Sequence, residues 1–291
     1  MSTVIVVGDA ALDVLSCHDR PIVHGGDVRA RNSLVTGGAG ANTAAWLAHA
    51  GADPVLVARV GDDVAGHQVR ADLTAAGVRC AFTVDATAPT GCVIVLVDGS
   101  GQRSMLPDRG AGSGLAATDL DPALLAAADH LHLSGYVLLD DGSRAAGLAM
   151  LAAARAAGLT TSVDPQAAAL ITDRTAFLGW VAGVDLLLPN LDELAALTGE
   201  RDPASARALT EIVGAVAVTT GPTGASWVGR VAATSVPAAP GHCVDSTGAG
   251  DAFDAGLLTA WLAGKSTSDC LLAGVRLGAL AVGTVGAQPP H

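Results

Sequence analysis

Beyond residue 119 the sequence keeps one rhythm. Short runs rich in Val, Leu and Ile alternate with longer stretches whose apolar residues recur at helical spacing. Strands are expected at residues 130–133, 160–163, 185–188 and 215–219, and helices at 122–127, 143–157, 173–181, 191–197 and 203–212. Strands that alternate with helices pair in parallel and need both faces covered. The expected fold class is therefore α/β, a doubly wound, mainly parallel sheet flanked by helices. In such sheets ligands sit at the carboxyl ends of strands. That draws attention to Asp9 and Asp13, Ser134-Gly135, Asp164, Asn190 with Glu193, and Thr219-Thr220-Gly221.

The rest of the chain fits around this body. Residues 3–7 read as a buried strand ending at Gly8-Asp9. Residues 11–35 have no helical period, and their short apolar pieces predict two to four short strands projecting from the main sheet. Within them Asp13 is either a solvated turn acid or a strand-end carboxylate that grips substrate hydroxyls. A glycine cluster, Gly37-Gly38-Ala39-Gly40-Ala41-Asn42, precedes a helix at 43–50 and a strand at 54–60. It is not a dinucleotide-binding motif, because Thr43 stands where G-x-G-x-x-G needs glycine. A helix is expected at 64–76, and strands at 79–84, 91–97 and 102–106, the last two joined by a turn at Asp98-Gly99-Ser100-Gly101. Arg103 and Arg109 lie just beyond; each is either a surface arginine or a clamp on substrate or phosphate. Residues 224–228 and 231–235 read as an edge hairpin, and helices are expected at 251–263 and 268–282.

The stretch from Val244 to Phe253 carries the chemistry. Gly248-Ala249-Gly250 runs into an apolar helical pattern, so its backbone N–H groups meet the positive end of a helix dipole. Such a cradle suits phosphate. Asp251 follows at once and would repel phosphate unless it takes a proton from the attacking nucleophile. The alternative is that Asp251 merely caps the helix.

Composition narrows the function classes. The 291 residues suffice for one large α/β domain or two small ones, and half of them are hydrophobic, so a sizeable core is available. No internal repeat or linker divides them. The net charge of −12 argues against nucleic acid or an anionic membrane as partner. Five dispersed cysteines without a C-x-x-C pair read as reduced thiols in a cytoplasmic protein. Gly264-Lys265-Ser266 is not a P-loop end, since the motif's first glycine position holds Thr259. His130 and His132 share a strand face but have no third ligand nearby, so they read as a packed pair.

Taken together, these motifs resemble the ribokinase, or PfkB, family of carbohydrate kinases, over essentially the whole length. Asp245-Ser246-Thr247-Gly248-Ala249-Gly250-Asp251-Ala252-Phe253 is similar to its C-terminal signature, and Gly37-Gly38-Ala39-Gly40-Ala41-Asn42 to its N-terminal one. Asn190-Leu191-Asp192-Glu193 resembles its N-x-x-E motif, Thr219-Thr220-Gly221 its nucleotide-side loop, and Gly286-Ala287-Gln288-Pro289 its terminal G-A-Q-P. The resemblance implies a single ribokinase-like domain over residues 1–291 with a small β lid from residues 10–36 plus 91–106, which in some members pairs into a homodimer. It implies transfer of the ATP γ-phosphate to a hydroxymethyl group of a sugar, with Mg²⁺. Asp251 would be the base, and Gly248, Ala249 and Gly250 the anion hole. Asp13, Gly38 and Asn42, joined by Arg109 as the candidate clamp, would hold substrate. Asn190, Thr219, Gly221 and Gly224 would border the nucleotide, and Glu193 would order Mg²⁺ through water. Asp245 and the Thr247 carbonyl match positions that bind K⁺ in some members.

Departures keep the substrate open. The turn at Gly38-Ala39-Gly40 lacks the lysine of ribokinases, and Leu133-Ser134-Gly135 lacks their substrate-contacting glutamate. Asp164-Pro165-Gln166 replaces the D-x-N-x-R of many fructokinase-like members. The chain also ends sooner after Gly286-Ala287 than is usual in the family, which implies that a terminal helix is missing. A nucleoside kinase of pseudouridine or adenosine type is the alternative, against which scarce aromatic residues weigh mildly. A non-catalytic sugar or nucleotide sensor is a third, and the retention of Asp251 with its glycine cradle argues against it.

Overall fold

The computed structural model describes residues 1–99 and 102–290. The elements in order are β1 (Thr3–Val7), β2 (Ala11–Cys17), β3 (Arg31–Gly37), α1 (Ala39–His49), β4 (Asp53–Gly61), α2 (Val64–Ala75), β5 (Arg79–Asp85), β6 (Gly91–Val97) and β7 (Arg103–Asp108). Then come α3 (Pro122–Ala127), β8 (His130–Ser134), α4 (Gly135–Leu139), α5 (Arg144–Ala156), β9 (Thr160–Asp164), α6 (Arg174–Trp180), β10 (Leu186–Leu187) and α7 (Leu191–Thr198). The chain finishes with β11 (Ala215–Thr219), β12 (Ala225–Gly229), β13 (Ala233–Val236), α8 (Ala249–Leu262) and α9 (Thr267–Ala281).

The described residues form two sheets. The larger has the order β13-β12-β11-β10-β9-β8-β1-β4-β5. Its strands from β11 to β5 run parallel, and β12 and β13 add an antiparallel edge. Side chains alternate across it, as a pleat requires. Val4 and Val6 face a core shared with α1, α2, α8 and α9, while Ile5 and Val7 face one shared with α4 to α7. This is the doubly wound α/β arrangement expected from the strand–helix rhythm. The smaller sheet, β3-β2-β6-β7, is built from the segments that lacked helical period. Of the turn expected between β6 and β7, Ser100 and Gly101 lie outside the described residues.

Three local departures have plain causes. Residues 203–211 form 3-10 turns instead of the expected α-helix. The short α4 follows β8 directly, where no helix was expected, because five residues are too few to show a period. The first glycine helix, α1, starts at Ala39, four residues earlier than expected. Its Gly40 lies against Gly8, so close that a Cβ on Gly40 would stand 2.7 Å from the Gly8 Cα. The glycines that look like a loop are in fact the helix turn that docks on β1.

His130 and His132 behave as the packed pair. Ser162 Oγ lies 2.8 Å from His130 Nε2 and 2.8 Å from His132 Nδ1, and Trp261 stacks edge-on against His130. Burial depresses both imidazoles, to about 3 and about 4 respectively, so both are neutral at ordinary pH.

Helices α8 and α9 pack backbone to backbone. A Cβ on Gly256 would lie 2.6 Å from the Ala273 carbonyl oxygen. Gly256→Ala should therefore force the helices apart and destabilise the protein by about 1–3 kcal/mol, as overpacked cores do. Urea denaturation would read this as a lower midpoint at unchanged slope.

Candidate active site

The carboxyl ends of β9, β10 and β11 open onto a cleft that the amino end of α8 enters. Its lining is Asp164, Gln166, Leu188, Asn190, Glu193, Thr219, Gly248, Gly250, Asp251 and Asp254. Helix α8 starts at Ala249, two residues before the expected start, after Gly248 in the left-handed conformation (φ 72°). Only glycine adopts that turn cheaply, and here a Cβ would also collide with the Ala287 carbonyl. A Cβ on Gly250, by contrast, would meet nothing within 4 Å. The backbone is bare toward the cleft.

Asp251 stands in the first turn of α8 but does not cap it, since α8 has no side-chain cap hydrogen bond. Its carboxylate is held by α1 instead. Asn42 Nδ2 donates to it at 3.3 Å and Thr43 Oγ1 at 3.1 Å. Burial raises its pKa to about 6, against the lowering effect of hydrogen bonds from Thr43, Asn42 and Gln166.

Asn190 and Glu193 are brought to the same wall, locked in a reciprocal cap of α7. Asn190 Oδ1 accepts from the backbone N–H groups of Asp192 and Glu193, and Glu193 accepts from Asn190 N at 2.8 Å and Asn190 Nδ2 at 2.6 Å. Burial lifts Glu193 to about 7, aided by nearby Asp192 and Asp251 and opposed by the Asn190 bonds. Asp164 and Asp254 sit opposite, Asp164 accepting from Gln166 while Asp254 Oδ2 is a buried acceptor without a donor, and burial pushes both well above the usual carboxylate range. Thr219 joins them through a bridge between its backbone and that of Asn190. Gly221 and Gly224 close the turn from β11 to β12. Gly224 is spent on packing, since a Cβ there would lie 2.0 Å from the Val236 carbonyl oxygen.

Asp13, Gly38 and Asn42 lie at the other end, where β2 leaves the main sheet. Asp13 Oδ1 and Asn42 Oδ1 are buried acceptors without a donor. Burial raises Asp13 to about 6. Gly38, with φ 94°, is the turn that feeds α1. Arg109 is engaged elsewhere: Nε and Nη2 donate to the two Asp9 oxygens at 3.0 and 2.7 Å, and Nη1 donates to Ser143 Oγ at 3.0 Å and lies 3.1 Å from Asp140. It braces three segments beside the cleft and presents no open fork.

Asp245 is likewise saturated. Its Oδ1 accepts from Thr247 N at 2.9 Å, from Thr247 Oγ1 at 2.6 Å and from Arg103 Nη1, and its Oδ2 accepts from Gly286 N at 3.0 Å. Burial alone would raise its pKa, but the bonds from Gly286 and Thr247 and the Arg103 charge outweigh burial and hold it below the ordinary value.

The sequence pattern of the pfkB family carbohydrate kinases matches residues 1–291. The chain belongs to the PfkB family of carbohydrate kinases. This kinase is 31% identical over 296 residues to the ATP-dependent ribose-1-phosphate kinase of Halopiger xanaduensis, with 99% of the chain and 94% of the relative covered. It is 33% identical over 279 residues to a fructokinase of Klebsiella pneumoniae, covering 92% of the chain and 87% of the relative. Among solved structures, adenosine kinase from Sinorhizobium meliloti superposes with a TM-score of 0.90 at 25% identity, covering 100% of this chain and 96% of that one. The kinase is thus a phosphotransferase of the ribokinase-like fold.

Residues that sequence reasoning passed over also gather here. Thr43 follows Asn42 and was hidden inside an apolar helical run. Asp254 lies one helical turn beyond Asp251, and an acid on the face carrying Leu257 and Leu258 is the signal that could have found it. Gln166 donates to Asp164 at 2.6 Å and, among the described residues, is the non-glycine residue with positive φ (70°). Tyr136, the chain's sole tyrosine, has its pKa raised by burial and by the charges of Asp164, Asp251, Glu193 and Asp9.

An ionised Asp251 costs stability. With a folded pKa near 6 against an ordinary 3.8, the penalty is absent below pH 4 and complete above pH 6. Asp251→Asn should therefore be more stable than the parent at pH 7.5, by up to about 3 kcal/mol, with the gap in melting temperature closing as pH falls toward 4.

Proposed function

We propose that this kinase transfers the γ-phosphoryl group of ATP to a hydroxymethyl group of an unphosphorylated sugar, with Asp251 as the base. The observation that carries the reading is one juxtaposition. A buried carboxylate with a pKa near 6 stands at the amino end of a helix whose first turn is open at Gly250. A carboxylate so placed accepts the hydroxyl proton as the oxygen begins to bond phosphorus. The N–H groups of Gly248 and Gly250 would stabilise charge on the migrating group, whereas the expected third donor, Ala249 N, is turned to the Ser246 carbonyl at 3.4 Å. Asn42 and Thr43 hold the base in line.

The residues present also fit the group that this family implies. Among the described residues no three acids are placed to ligate a metal ion directly, but Glu193, Asp164 and Asp254 line the cleft and offer oxygen acceptors to the water shell that Mg²⁺ keeps. Asn190, Thr219 and Gly221 would border the nucleotide. When bound, MgATP supplies the phosphoryl group and screens its charge. Every other part of the reaction falls to the chain: orienting the hydroxyl, taking its proton and keeping water out.

A neutral acceptor is favoured by the other end of the site. Asp13 Oδ1 and Asn42 Oδ1 lack donors, which sugar hydroxyls provide. Asp13 would repel an added phosphate, and Arg103 and Arg109 are both paired with carboxylates. The likeness to adenosine kinase supports a nucleoside as the second reading. We also read the small sheet as a lid able to pair with a second copy, because Leu34, Val14, Ile94 and Leu106 form one register row on the face opposite Asp13, and Leu34 and Leu106 are 66% and 56% exposed.

An ADP-release assay with Mg²⁺ tests the reading across free pentoses and hexoses, adenosine, pseudouridine and ribose 1-phosphate. Turnover of a free sugar is expected; turnover confined to nucleosides or to the sugar phosphate overturns it. On the accepted substrate, Asp251→Asn should lower kcat by about a thousandfold while ATP binding persists, and a loss under about tenfold (1.4 kcal/mol) would remove Asp251 as the base.

The acid limb of the rate profile is set by the same groups. Burial raises Asp251 and Asp13 to about 6 and Glu193 to about 7, and the reading uses all three ionised. The logarithm of kcat/KM should therefore begin to fall below pH 7 and steepen below pH 6 to a slope above 1, and Asp13→Asn should lower the limiting slope by one.

A further inference from the structure

One side chain of the small sheet, Arg103, hydrogen-bonds the loop before α8. Arg103 opens β7, on the face that also carries Asp13, because the register pairs Arg103 with Val97, Val97 with Cys17 and Val93 with Asp13. Its guanidinium reaches across to the loop before α8. Nη1 donates to Asp245 Oδ1 and Nη2 donates to Ser246 Oγ at 2.7 Å. Both partners of the ion pair are largely shielded, with side-chain exposures of 21% and 12%.

The family implies a monovalent cation at Asp245, and the residues here do not fit one. A carboxylate offers about four lone-pair sites. At Asp245, Oδ1 is saturated by Thr247 N, Thr247 Oγ1 and Arg103, while Oδ2 accepts from Gly286 N alone and keeps one open site. The Arg103 guanidinium already neutralises that carboxylate, and an ion at the open site would stand close to its charge.

We propose that Arg103 is a positioning residue for phosphoryl transfer, a resident cation that sets the Ser246–Gly248 turn and makes the enzyme independent of K⁺. The charge that a diffusible ion would lend to the loop is carried on a strand of the small sheet. Arg103 thereby couples the sheet that holds Asp13 to the cradle ahead of Asp251. Closure over the acceptor and ordering of the anion hole become one event. The inference rests on the kinase reading above, in that the loop it orders is the proposed anion hole.

The test compares KCl with choline chloride at matched ionic strength. On the accepted substrate the parent should change less than twofold between the two salts. Arg103→Met should lose at least tenfold in kcat in choline chloride, recover severalfold in KCl, and retain ATP binding. Arg103→Lys should stay within about threefold of the parent in either salt. Activation of the parent by tenfold or more in KCl, or an Arg103→Met variant with parental kcat in choline chloride, overturns the proposal. A thermal readout stands apart from turnover. KCl should leave the parent's melting temperature unchanged relative to choline chloride and raise that of Arg103→Met; a rise in the parent overturns the proposal even if the acceptor is misassigned. Failure of the acceptor reading shows separately, as absent sugar turnover with the thermal pattern intact.

Discussion

The site depends on how α1 and α8 meet. Asp251 can be buried and still ionise because Asn42 and Thr43 reach it from α1. Those two residues are in range only because α1 begins early, and it begins early because Gly40 can lie on Gly8. The Ala41 N–H then bonds to the Asp9 carbonyl at 3.0 Å, tying the helix to the end of β1. A contact between two bare backbones thus sets the donors that offset the burial of a carboxylate some two hundred residues away along the chain. Arg109 reinforces the same corner by clasping Asp9.

Around that contact the cleft is organised by like charge. Asp164, Glu193, Asp251 and Asp254 would repel one another if all were ionised, and burial raises the pKa of each. The chain tolerates this by hydrogen bonds to three of them: Asp164 from Gln166, Glu193 from Asn190, Asp251 from α1. Such a cluster is costly as it stands, and on the proposed reading a divalent cation and hydroxyl donors would relieve it.

Much of this was legible in the residues. The strand–helix rhythm after Asp119 identified the parallel body, since burial on both faces leaves an unmistakable pattern, and the same rule placed Asp164, Asn190 and Thr219 at one edge. The glycine stretch before Phe253 located the helix start that lines the cleft. What stayed hidden has a common origin. Asp254 and Thr43 act through helix faces that meet only once two distant segments pack. Arg103 and Arg109 looked equally free, because their carboxylate partners are 142 and 100 residues away. The start of α1 was missed because glycines that weaken a helix locally are needed for its docking, an energy that no local propensity contains.

One indole reports on the turn that opens α8. Trp46 is fully buried in α1, four residues from Asn42, and its Nε1–H donates at 2.8 Å to the carbonyl of Ala287. That carbonyl is the atom against which Gly248 is pressed. Trp46 therefore touches the backbone that shapes the cradle without entering the cleft itself. A shift of the Ala287 carbonyl alters the hydrogen bond to this ring, and with it the wavelength at which Trp46 emits. With Trp180, Trp227 and Trp261 replaced, that emission would report the setting of the turn at Gly248 without an added label.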